Sequence, residues 1–550
     1  MDKPFAITLD PHSSLANHTG TWRSERPVYV DGLAPCTHAC PAGEQVQSWL
    51  YTAEDGSYEA AWRNLVAVNP FPAIMGRVCY HPCETACNRA QLDTAVGINS
   101  VERFLGDEAI DRGWALPAPA VDTGRSVLVI GAGPCGLAAA YHLRRLGHAV
   151  EIRDAGAQAG GMMRHGIPTF RLPRDVLDIE IARLLELGIT LTLDTRVDSV
   201  AAAMRDGGFD AVLLATGAPL SKRAYLPAGQ SARVLDALSV LGDAAAGERP
   251  QLGRTVVVYG GGNTAMDAAR TAKRLGADEA VVVYRRTRER MPADAGEVED
   301  ALAEGVQMRW LSTITQVEGT TLTLEKMRLD DDGRPQPTGE YEELSGDAVV
   351  LALGQDIDQS LLTSLPGVTV RDGVVEVGPG QMTGAPGVFA GGDVAPAQRS
   401  VTAAIGQGRT AAQGIDAWFR SAPPATERDA AEPVPFDKLN TWYYSDAPHA
   451  VRPRLDAARR TTDFSEIVGG LDADTALYEA RRCLSCGNCF GCDNCYGVCP
   501  DNAVLKIVGA HGAVDPSAYG YAIDLDYCKG CGLCVSECPA GAIVMIPEQT

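Results

Sequence analysis

Short apolar runs recur through the middle of the chain, and two of them are followed at once by a glycine-rich turn. The runs at 127–130, 256–259 and 281–284 lack the polar alternation of a half-exposed strand. Runs of this kind are typical of parallel strands that are buried on both faces. Ala- and Leu-rich helical segments lie between them, so the pattern predicts an α/β fold with parallel sheets.

The first glycine-rich turn has the spacing G-x-G-x-x-G, formed by Gly131, Gly133 and Gly136. A helix and a second strand follow, and that strand ends at Asp154. Glycines at these places permit a tight turn and a close approach of the backbone to a pyrophosphate at the positive end of the helix. An acid about twenty positions further on can bind a ribose hydroxyl, so the segment predicts a dinucleotide site. Cys135 is expected only to pack inside this turn.

A second turn of the same kind follows the run at 256–259. Its residues are Gly260, Gly262 and Asn263, with Ala265 in the third glycine place. The next strand leads into Arg285 and Arg286, where an NAD site would carry an acid. Arginine suits the 2′-phosphate, which favours NADP. The alternative is a solvated basic surface made by Arg285 and Arg286 together with Arg288 and Arg290.

Two dinucleotide units in one chain predict a flavoprotein with a nested nicotinamide domain. The segments 211–218 and 348–355 are strand-to-turn exits that we interpret as the two crossings between these domains. The segment 387–394 contains Gly392 and places Asp393 where an acid can bind a ribityl chain. A helix follows, and its N-terminal amides can approach the isoalloxazine ring. The remaining candidate cofactor contacts are Gly161, Met162, Arg171 and Thr402.

Composition narrows the functional classes. The 550-residue chain has a formal charge of −22, which argues against a nucleic-acid partner because phosphate binding needs a basic face. The sequence shows no uninterrupted apolar run of the length that a membrane span needs, and its N-terminus lacks the apolar core of a signal peptide. We therefore expect a cytoplasmic protein. In that compartment its 16 cysteines favour metal ligation over disulfides.

The C-terminal cysteines form two runs of the bacterial ferredoxin type, C-x2-C-x2-C-x3-C-P. In two-cluster ferredoxins the fourth cysteine of each run binds the cluster of the other run. This rule predicts two ligand sets. They are Cys489, Cys492, Cys495 and Cys538 for one cluster, and Cys499, Cys528, Cys531 and Cys534 for the other.

Residues 31 to about 420 resemble the small subunit of NADPH-dependent glutamate synthase. They also resemble the N-terminal half of dihydropyrimidine dehydrogenase and the large subunit of NADH-dependent reduced ferredoxin:NADP oxidoreductases. The segments that carry the resemblance include "GRVCYHPCETAC", "GGMMRHGIPTFRLP", "GGGNTAMDAAR" and "YRRTRERMPA". It implies an N-terminal helical domain with two 4Fe–4S clusters, FAD in the first dinucleotide unit and NADPH in the second.

The resemblance also points to an incomplete N-terminal cluster. The family usually has a helix ending in R-C-x-x-C before C-x-x-x-C-P, whereas here Cys36 and Cys40 stand without preceding cysteines. The segment 475–486 resembles the missing helix, moved to the far end of the chain. We expect Cys483 and Cys486 to join Cys36 and Cys40 around one cluster. The alternatives are a four-thiolate zinc site, two unrelated thiol pairs or ligation between molecules.

The other N-terminal group is Cys79, Cys83 and Cys87, which leaves one iron of a cluster without a thiolate. Relatives fill that place with Glu or Gln, and Glu102 matches the position. A carboxylate is an unusual ligand for such a cluster and would change its reduction potential. The alternative is that Glu102 is an ordinary exposed helix residue. The resulting expectation is four 4Fe–4S clusters.

We therefore predict an α/β protein with nested Rossmann-like domains between two iron–sulfur domains. The expected boundaries are a helical iron–sulfur domain over 1–120, an FAD domain over 121–220 and 351–420, an NADP domain over 221–350, a linker over 421–480 and an α+β bacterial-type ferredoxin domain with two clusters over 481–550.

The predicted function is electron transfer between NADP(H), FAD, the clusters and a partner protein in a hetero-oligomer. The candidate partners are a 2-oxoacid:ferredoxin oxidoreductase, a ferredoxin or a glutamate-synthase-like large subunit. A non-catalytic redox-sensing or assembly subunit is the alternative class. A flavin disulfide reductase is disfavoured, because no C-x2-C or C-x4-C pair lies between Cys135 and Cys483.

Overall fold

The N-terminal part of the molecule is a bundle of short helices around the buried side chains of Trp49 and Trp62. The computed structural model describes residues 18–222, 227, 232–362, 365–424, 432–507 and 520–548. Several of these helices begin with proline, whose fixed φ suits the first helical position. The helices are α1 Pro35–Ala39, α2 Val46–Ala53, α3 Tyr58–Val66, α4 Pro72–Val78, α5 Pro82–Thr85 and α6 Ile98–Asp111.

The FAD-type domain is a parallel sheet with helices on both faces. Its strands are β2 Ser126–Ile130, β3 Ala149–Arg153, β4 Thr190–Thr192, β5 Ala211–Leu214 and β18 Val388–Ala390, in the order β18-β5-β2-β3-β4. Its helices are α7 Pro134–Arg145, α8 Met162–His165, α9 Arg174–Leu185, α10 Val200–Gly207 and α14 Val401–Phe419. All neighbouring strands are parallel, which explains why the central ones are apolar throughout.

The NADP-type domain repeats this design with the parallel order β10-β9-β8-β14-β7. These strands are β7 Val234–Asp236, β8 Thr255–Tyr259, β9 Glu279–Val283, β10 Gln307–Arg309 and β14 Ala348–Leu351. The helices are α11 Ala237–Ala245, α12 Asn263–Arg274 and α13 Ala295–Ala303. A separate antiparallel sheet covers one side with β11 Ser312–Glu318, β12 Thr321–Leu329 and β13 Pro335–Ser345.

The two predicted crossings join these domains side by side. Strand β6 Leu220–Ser221 follows β5 out of the FAD-type domain, and β15 Gln355–Asp356 follows β14 back. The two pair in antiparallel fashion. A further short hairpin, β16 Val370–Arg371 with β17 Val374–Val375, precedes the return into β18.

The C-terminal part contains α15 Ala457–Arg460, α16 Ala473–Ala480, α17 Asn494–Val498, β19 Val504–Lys506, β20 Tyr521–Ile523, α18 Leu533–Ser536 and β21 Ile543–Pro547. Strands β19 and β20 pair in antiparallel fashion. Strand β21 pairs with β1 Glu25–Tyr29, which lies at the other end of the sequence.

The described structure exchanges two segments across the expected domain boundaries. Strand β1, placed by the sequence in the helical domain, adds to the ferredoxin sheet. Helix α16, placed in the linker, packs on α2 and α6 of the helical domain. The N-terminal stretch that lacks a signal-peptide core, and the acidic part of the linker at 425–431, lie outside the described residues.

The linker contacts two other domains along its described part. Near residue 434 it bonds to the helical domain, where the Val434 amide donates to the Leu33 carbonyl at 2.9 Å. The Arg452 guanidinium donates to the Gly76 carbonyl at 3.0 Å. Further on, Arg454 forms an ion pair with Asp300 of the NADP-type domain. The linker is therefore packed on the helical domain and on the NADP-type domain.

Candidate redox centres

A cavity of about 540 Å³ lies between the FAD-type and NADP-type domains, within the range of small-molecule sites. Both glycine turns contribute to its walls. The predicted cofactor residues that line it are Gly131, Gly133, Asp154, Gly161, Met162, Arg171, Gly262, Asn263, Gly392 and Asp393. Because the two turns share one cavity, a nucleotide bound at each can bring its reactive ring to the same space.

Glycine is required at both turns for steric reasons. Gly131 has a φ of +112°, and a Cβ there would clash with the carbonyl oxygen of Ala215. Gly136 faces back onto Gly131, whose carbonyl oxygen a Cβ would also meet. At the second turn Gly260 has a φ of +155°, and a Cβ would clash with the Ala352 carbonyl oxygen. These close approaches fit a backbone cradle for a pyrophosphate.

Two aspartates line the cavity in different surroundings. The Asp154 carboxylate accepts hydrogen bonds of 2.7 Å from the amides of Ala132 and Gly156, and so it braces the first glycine turn. Asp393 is held in place by its turn, since the Gly392 amide donates to the Gln407 side chain at 2.6 Å. Burial raises the pKa of Asp393.

Arg171, a predicted cofactor contact, lines the cavity and also forms ion pairs between the two domains. Its guanidinium forms ion pairs with Asp267 and Glu297, each at 2.8 Å, and its side chain is 8% exposed. Both partners belong to helices of the NADP-type domain, whereas Arg171 belongs to the FAD-type domain. The charge is therefore used to join the two domains at the edge of the cavity, because buried opposite charges stabilise only when they are paired.

The predicted phosphate-binding arginines lie just after β9. Arg285 is exposed, whereas Arg286 is half-buried. The Nε atom of Arg286 is buried and has no hydrogen-bond partner among the described residues. A buried unpaired donor calls for a partner that is an acceptor, so this atom fits a nucleotide phosphate better than a solvated surface. The solvated alternative fits Arg285, Arg288 and Arg290, which are exposed.

One cysteine group of the helical domain contains Cys40, Cys79 and Cys83 together with Glu102. Burial raises the pKa of Cys79 to about 12, and the Glu102 carboxyl is its next-largest cause. The pKa of Cys83 is also raised, chiefly by burial. Electrostatic repulsion raises it further, from Cys79, Glu84, Cys40 and Glu102. Glu102 is 6% exposed, which rules out the alternative of an exposed helix residue.

A second carboxyl lies beside this group. The Asn69 amide donates to Glu102 at 3.0 Å and to Glu44 at 2.8 Å. Burial raises the pKa of Glu44 to about 7. The sequence analysis missed Glu44, although its place four residues after Cys40 in the loop before α2 was visible.

The other group of the helical domain contains Cys36, Cys87, Cys483 and Cys486, which line one small cavity. The expectation that the tail cysteines join the N-terminal cysteines agrees with this arrangement. The predicted composition of this group was wrong in one respect. Cys87 takes the place predicted for Cys40, and Cys40 lies with Cys79 and Cys83 instead. The alternative of two unrelated thiol pairs does not hold, because the tail thiols lie beside thiols of the N-terminal domain. Cys483 is close to Cys36 and Cys87, and Cys486 is close to Cys87.

The exchange has a simple structural cause. Helix α1 contains Cys36, and Cys40 follows its end in extended conformation; helix α5 contains Cys83, and Cys87 follows its end in the same way. The two helices pack together, so each extended cysteine reaches the group of the other helix. Two-cluster ferredoxins follow the same crossing rule, which the sequence analysis applied only to the C-terminal runs.

The ferredoxin domain brings its cysteines together in the predicted sets. Cys489, Cys492, Cys495 and Cys538 line one cavity, and Cys499, Cys528, Cys531 and Cys534 line another. Among the described residues, no three His, Cys, Asp or Glu side chains are placed to hold a single metal ion. Four cysteines that surround a larger space fit a cube of iron and sulfide better than a zinc ion, whose thiolates lie about 2.3 Å away.

Comparison with known proteins gives the family. Residues 125–408 match the family described as pyridine nucleotide-disulphide oxidoreductase. The chain belongs to this family. Residues 21–114 match the 4Fe-4S domain II of dihydropyrimidine dehydrogenase, and residues 488–542 match the 4Fe-4S dicluster domain. This pyridine nucleotide oxidoreductase therefore combines an FAD and NADP unit with iron–sulfur domains at both ends.

Curated relatives place the chain in the glutamate synthase small-subunit-like branch. The NADP(+)-dependent formate dehydrogenase subunit beta of Moorella thermoacetica is 36% identical over 507 residues, which cover 82% of this chain and 70% of that protein. The NADPH-Fe(3+) oxidoreductase subunit beta of Geobacter sulfurreducens is 31% identical over 82% of this chain and 75% of its own. The glutamate synthase small chain of Azospirillum brasilense is 34% identical over 73% and 89%.

These matches confirm the predicted fold class, the oxidoreductase activity and the cofactor types, namely FAD, NADP(H) and 4Fe–4S clusters. Among solved structures, T. acidophilum thioredoxin reductase aligns with a TM-score of 0.43 at 20% identity, covering 54% of this chain and 99% of that one. Within the parts of the oxidoreductase that the structure describes, no helix is long and apolar enough to cross a bilayer.

The tail of the oxidoreductase is anchored by a buried arginine next to Cys483. Arg482 is 2% exposed, and its guanidinium bonds to Glu479 at 2.5 Å and to Asp93 at 3.2 Å. Asp93 also pairs with Arg89 at 2.7 Å. These bonds hold the tail on its own helical domain, so the thiols need no second molecule to complete the group.

Thr402 lies where the flavin cavity and the first cysteine group meet. It was predicted to contact the cofactor, but its hydroxyl donates to the Cys79 sulfur at 3.4 Å. Its neighbour Val401 lines the large cavity. The start of α14 therefore contacts both the cavity and Cys79.

Proposed function

We propose that this oxidoreductase moves electrons between NADP(H) and a separate protein, through FAD and four 4Fe–4S clusters in one row. The observation that carries the proposal is the position of Cys79. Its two chain neighbours, Val78 and Tyr80, line the cavity shared by the two glycine turns. A cluster held by Cys79 would therefore begin at the wall of the flavin site.

The proposed ligand sets follow the four groups. From the flavin outward they are Cys40, Cys79, Cys83 and Glu102; then Cys36, Cys87, Cys483 and Cys486; then Cys489, Cys492, Cys495 and Cys538; and then Cys499, Cys528, Cys531 and Cys534. The chemistry of the donors fits iron–sulfur clusters, since each set supplies three or four thiolates. Cys135 remains outside all four sets, buried against Gly392.

Two tyrosines lie between consecutive sets and support this order. Burial raises the pKa of Tyr444, and thiols of the second and third sets, Cys483, Cys486, Cys492 and Cys538, raise it further. Burial likewise raises the pKa of Tyr29, and so do Cys495, Cys489 and Cys534 of the third and fourth sets. Each tyrosine is therefore close to two neighbouring groups.

FAD bound in this cavity would exchange a hydride with NADP(H) and exchange electrons singly with the clusters. The side chains need mainly to position the two nucleotides, because a direct hydride transfer depends on alignment. The glycine turns would hold the pyrophosphates, and Arg286 would pair with the 2′-phosphate of NADP. The ion pairs of Arg171 hold the two domains at a fixed separation.

The partner would exchange electrons at the ferredoxin domain, where Cys492 and Cys531 are exposed. A 2-oxoacid:ferredoxin oxidoreductase, a ferredoxin and a glutamate-synthase-like large subunit are the candidates from the sequence. The formate dehydrogenase and Fe(3+) oxidoreductase relatives are named as beta subunits, which supports a place in a hetero-oligomer. Purification of the complex from its native source would identify the partner.

The test is anaerobic titration of the reconstituted full chain. We expect about sixteen irons per chain, from four clusters of four, and bleaching of bound FAD by NADPH followed by cluster reduction. NADH at the same concentration is the control. If NADPH does not reduce the bound flavin, and NADP+ does not reoxidise the flavin once it is reduced, the protein is a sensor and the proposal is contradicted.

The variant pair Cys483→Ser with Cys486→Ser tests the shared cluster. We expect the iron content to fall by about four per chain while the flavin spectrum is kept. An unchanged iron content would remove the second ligand set from the proposal.

A further inference from the structure

Among the residues that the structure describes, no strand of the ferredoxin domain precedes its first cysteine run, and the N-terminal segment adds one to its sheet. Strand β1 pairs with β21 in antiparallel register, from Glu25 opposite Pro547 to Tyr29 opposite Ile543. The Gly20 amide donates to the Asp526 carbonyl at 2.9 Å, and the Val30 amide donates to the Ala542 carbonyl at 3.0 Å. The segment is therefore bonded to the domain along its length.

The same segment reaches the cysteine loops. The Arg23 guanidinium donates to the Cys528 carbonyl at 3.2 Å. A Cβ on Gly530 would meet the Cβ of Arg23 at 2.9 Å, so no space remains between the segment and the loop that contains Cys528 and Cys531. The position of the segment is thus fixed by the loops that would hold the fourth cluster.

Tyr29, the last residue of β1, contacts a sulfur of the neighbouring set. Its hydroxyl oxygen lies 3.1 Å from the Cys495 sulfur. A cysteine ligand is a thiolate without a proton, so in the loaded protein the hydroxyl must be the donor. The ring is held by stacking on Tyr521, with ring centres 6.1 Å apart and planes at 17°.

A hydrogen bond to a ligand sulfur affects the two oxidation states of a cluster differently. Reduction adds negative charge to the cluster, so a donor to the sulfur stabilises the reduced state more than the oxidised state. The potential of that cluster is then higher than without the bond. This donor comes from residue 29, more than four hundred residues before the cysteine that it contacts.

We propose that Tyr29 raises the reduction potential of the cluster held by Cys489, Cys492, Cys495 and Cys538. Tyr29 is a positioning residue that acts through Cys495, and the inference rests on the proposed ligand sets. The N-terminal segment thereby takes part in electron transfer as well as in folding, because it sets the energy of the electron at the entrance of the ferredoxin domain.

The test is Tyr29→Phe in the full chain, reconstituted without oxygen and titrated under EPR. We expect one cluster to become harder to reduce, so that its oxidised-to-reduced ratio at the wild-type midpoint rises roughly tenfold, as for loss of a hydrogen bond to a charged group. The other midpoints stay unchanged. An unshifted titration with full iron content would overturn the proposal.

The matched control is Tyr521→Phe. Tyr521 is the stacking partner, and its hydroxyl donates to the Asp493 carboxylate at 2.6 Å rather than to a sulfur. We expect its midpoints to match the wild type. An equal shift in both variants would assign the effect to loosening of the domain and overturn the role of the Tyr29 hydroxyl.

A ring-fluorinated tyrosine at position 29 keeps the fold and makes the hydroxyl a stronger donor. We expect the potential of the same cluster to rise, opposite to the change in Tyr29→Phe, and a fall or no change would overturn the proposal. This variant decides the matter if Tyr29→Phe loads poorly. A wild-type chain without the C-terminal clusters would instead refute the ligand sets of the proposed function.

Discussion

At the level of single residues, the contact between Thr402 and Cys79 joins the flavin cavity to the first cysteine group. The hydroxyl and the sulfur lie 3.4 Å apart, and the neighbouring residues of both line cavities of the flavin region. The Thr402 hydroxyl therefore contacts a thiol of the first cysteine group directly. Its effect is expected on the energy of the electron after it leaves the flavin.

The substitution Thr402→Val keeps the shape of the side chain and removes the donor. We expect the potential of the cluster at Cys79 to fall by roughly 40 mV, as for loss of about 1 kcal/mol in a one-electron couple. EPR-monitored titration measures the shift. Thr410→Val is the control, because the Thr410 hydroxyl bonds to the Gly406 carbonyl on the same helix. An equal shift in both variants would contradict the sulfur contact as its cause.

His142 gives the chain a pH-dependent stability. Burial lowers the pKa of His142 to about 3, and its ring nitrogen donates to the Val68 carbonyl at 2.9 Å. Below its ordinary pKa of about 6.5 the unfolded chain takes up a proton that the folded chain refuses, so this contribution to stability falls as the pH falls from about 6.5 towards 3.

We expect His142 to destabilise the wild type by about 1 kcal/mol at pH 5.5 relative to pH 7.5. The substitution His142→Gln keeps a donor for the Val68 carbonyl but cannot titrate. Urea unfolding of both proteins at the two pH values gives the change in the free energy of unfolding between pH 7.5 and pH 5.5. Buried carboxyl groups contribute equally to this change in both proteins, so the difference between the proteins reports His142. A difference that does not change with pH would show that His142 is not responsible.

At the level of elements, the molecule exchanges β1 and α16 between its two iron–sulfur domains. Helix α16 is capped by Asp472, whose side chain accepts from the Thr475 amide, and it ends just before Arg482 and the tail thiols. Arg482, Asp93 and Arg89 form a buried ionic cluster at this junction. The stability of the second cysteine group therefore depends on charges outside it.

The substitution Asp93→Asn should release the tail. Arg89 loses its ion pair with Asp93, and Arg482 keeps only its pair with Glu479, which costs about 3 kcal/mol. We expect faster hydrogen exchange over α16 and a loss of iron from the second group. Asp474→Asn is the control, because Asp474 is exposed on the same helix. Equal protection of α16 in the wild type and Asp93→Asn would contradict this account.

The elements also show what the sequence could and could not predict. The strands around Gly131 and Gly260 were predictable because buried strands and glycine turns leave a local pattern. The exchange of Cys40 and Cys87 depends on how α1 packs against α5, which no local pattern records. The pairing of β1 with β21 was missed because five ordinary residues, Glu25–Tyr29, carry no sign of a partner so distant in sequence.

At the level of the whole molecule, the linker fixes the relation between the nicotinamide unit and the clusters. Glu466 of the linker pairs with Arg77 at 2.9 Å and with Arg103 at 3.0 Å in the helical domain. Arg454, on the same linker, pairs with Asp300 in the NADP-type domain. The linker thus holds the NADP-type domain and the helical domain together through its ion pairs.

A break near the start of that route should separate its two halves. In Cys83→Ser we expect NADPH to reduce the flavin as before, while the ferredoxin clusters stay oxidised for at least about ten times longer, because the first carrier is lost. Stopped-flow spectra and freeze-quench EPR measure both events. Dithionite is the control, since it should still reduce the C-terminal clusters directly. Unslowed reduction of these clusters by NADPH would contradict the proposed order.

The preference for NADP also concerns the whole molecule, because it decides which nucleotide exchanges electrons with all of the proposed redox centres. The substitution Arg286→Ala should weaken NADPH binding by about 2 kcal/mol, or roughly thirtyfold, and leave NADH nearly unaffected. Flavin reduction at increasing nucleotide concentration measures both. Arg288→Ala, an exposed neighbour, is the control. Equal losses with NADPH and NADH would contradict a phosphate contact.

The pairing of β1 with β21 has a consequence for biosynthesis. The ribosome makes residues 25–29 more than five hundred residues before residues 543–547, so the early strand must wait for its partner while the domains between them are synthesised. The group of Cys36 and Cys486 likewise joins residues that are 450 positions apart. The groups that contain Cys483, Cys486 and the ferredoxin cysteines can therefore be completed only after these late residues have been made, whereas Cys40, Cys79, Cys83 and Glu102 are available much earlier.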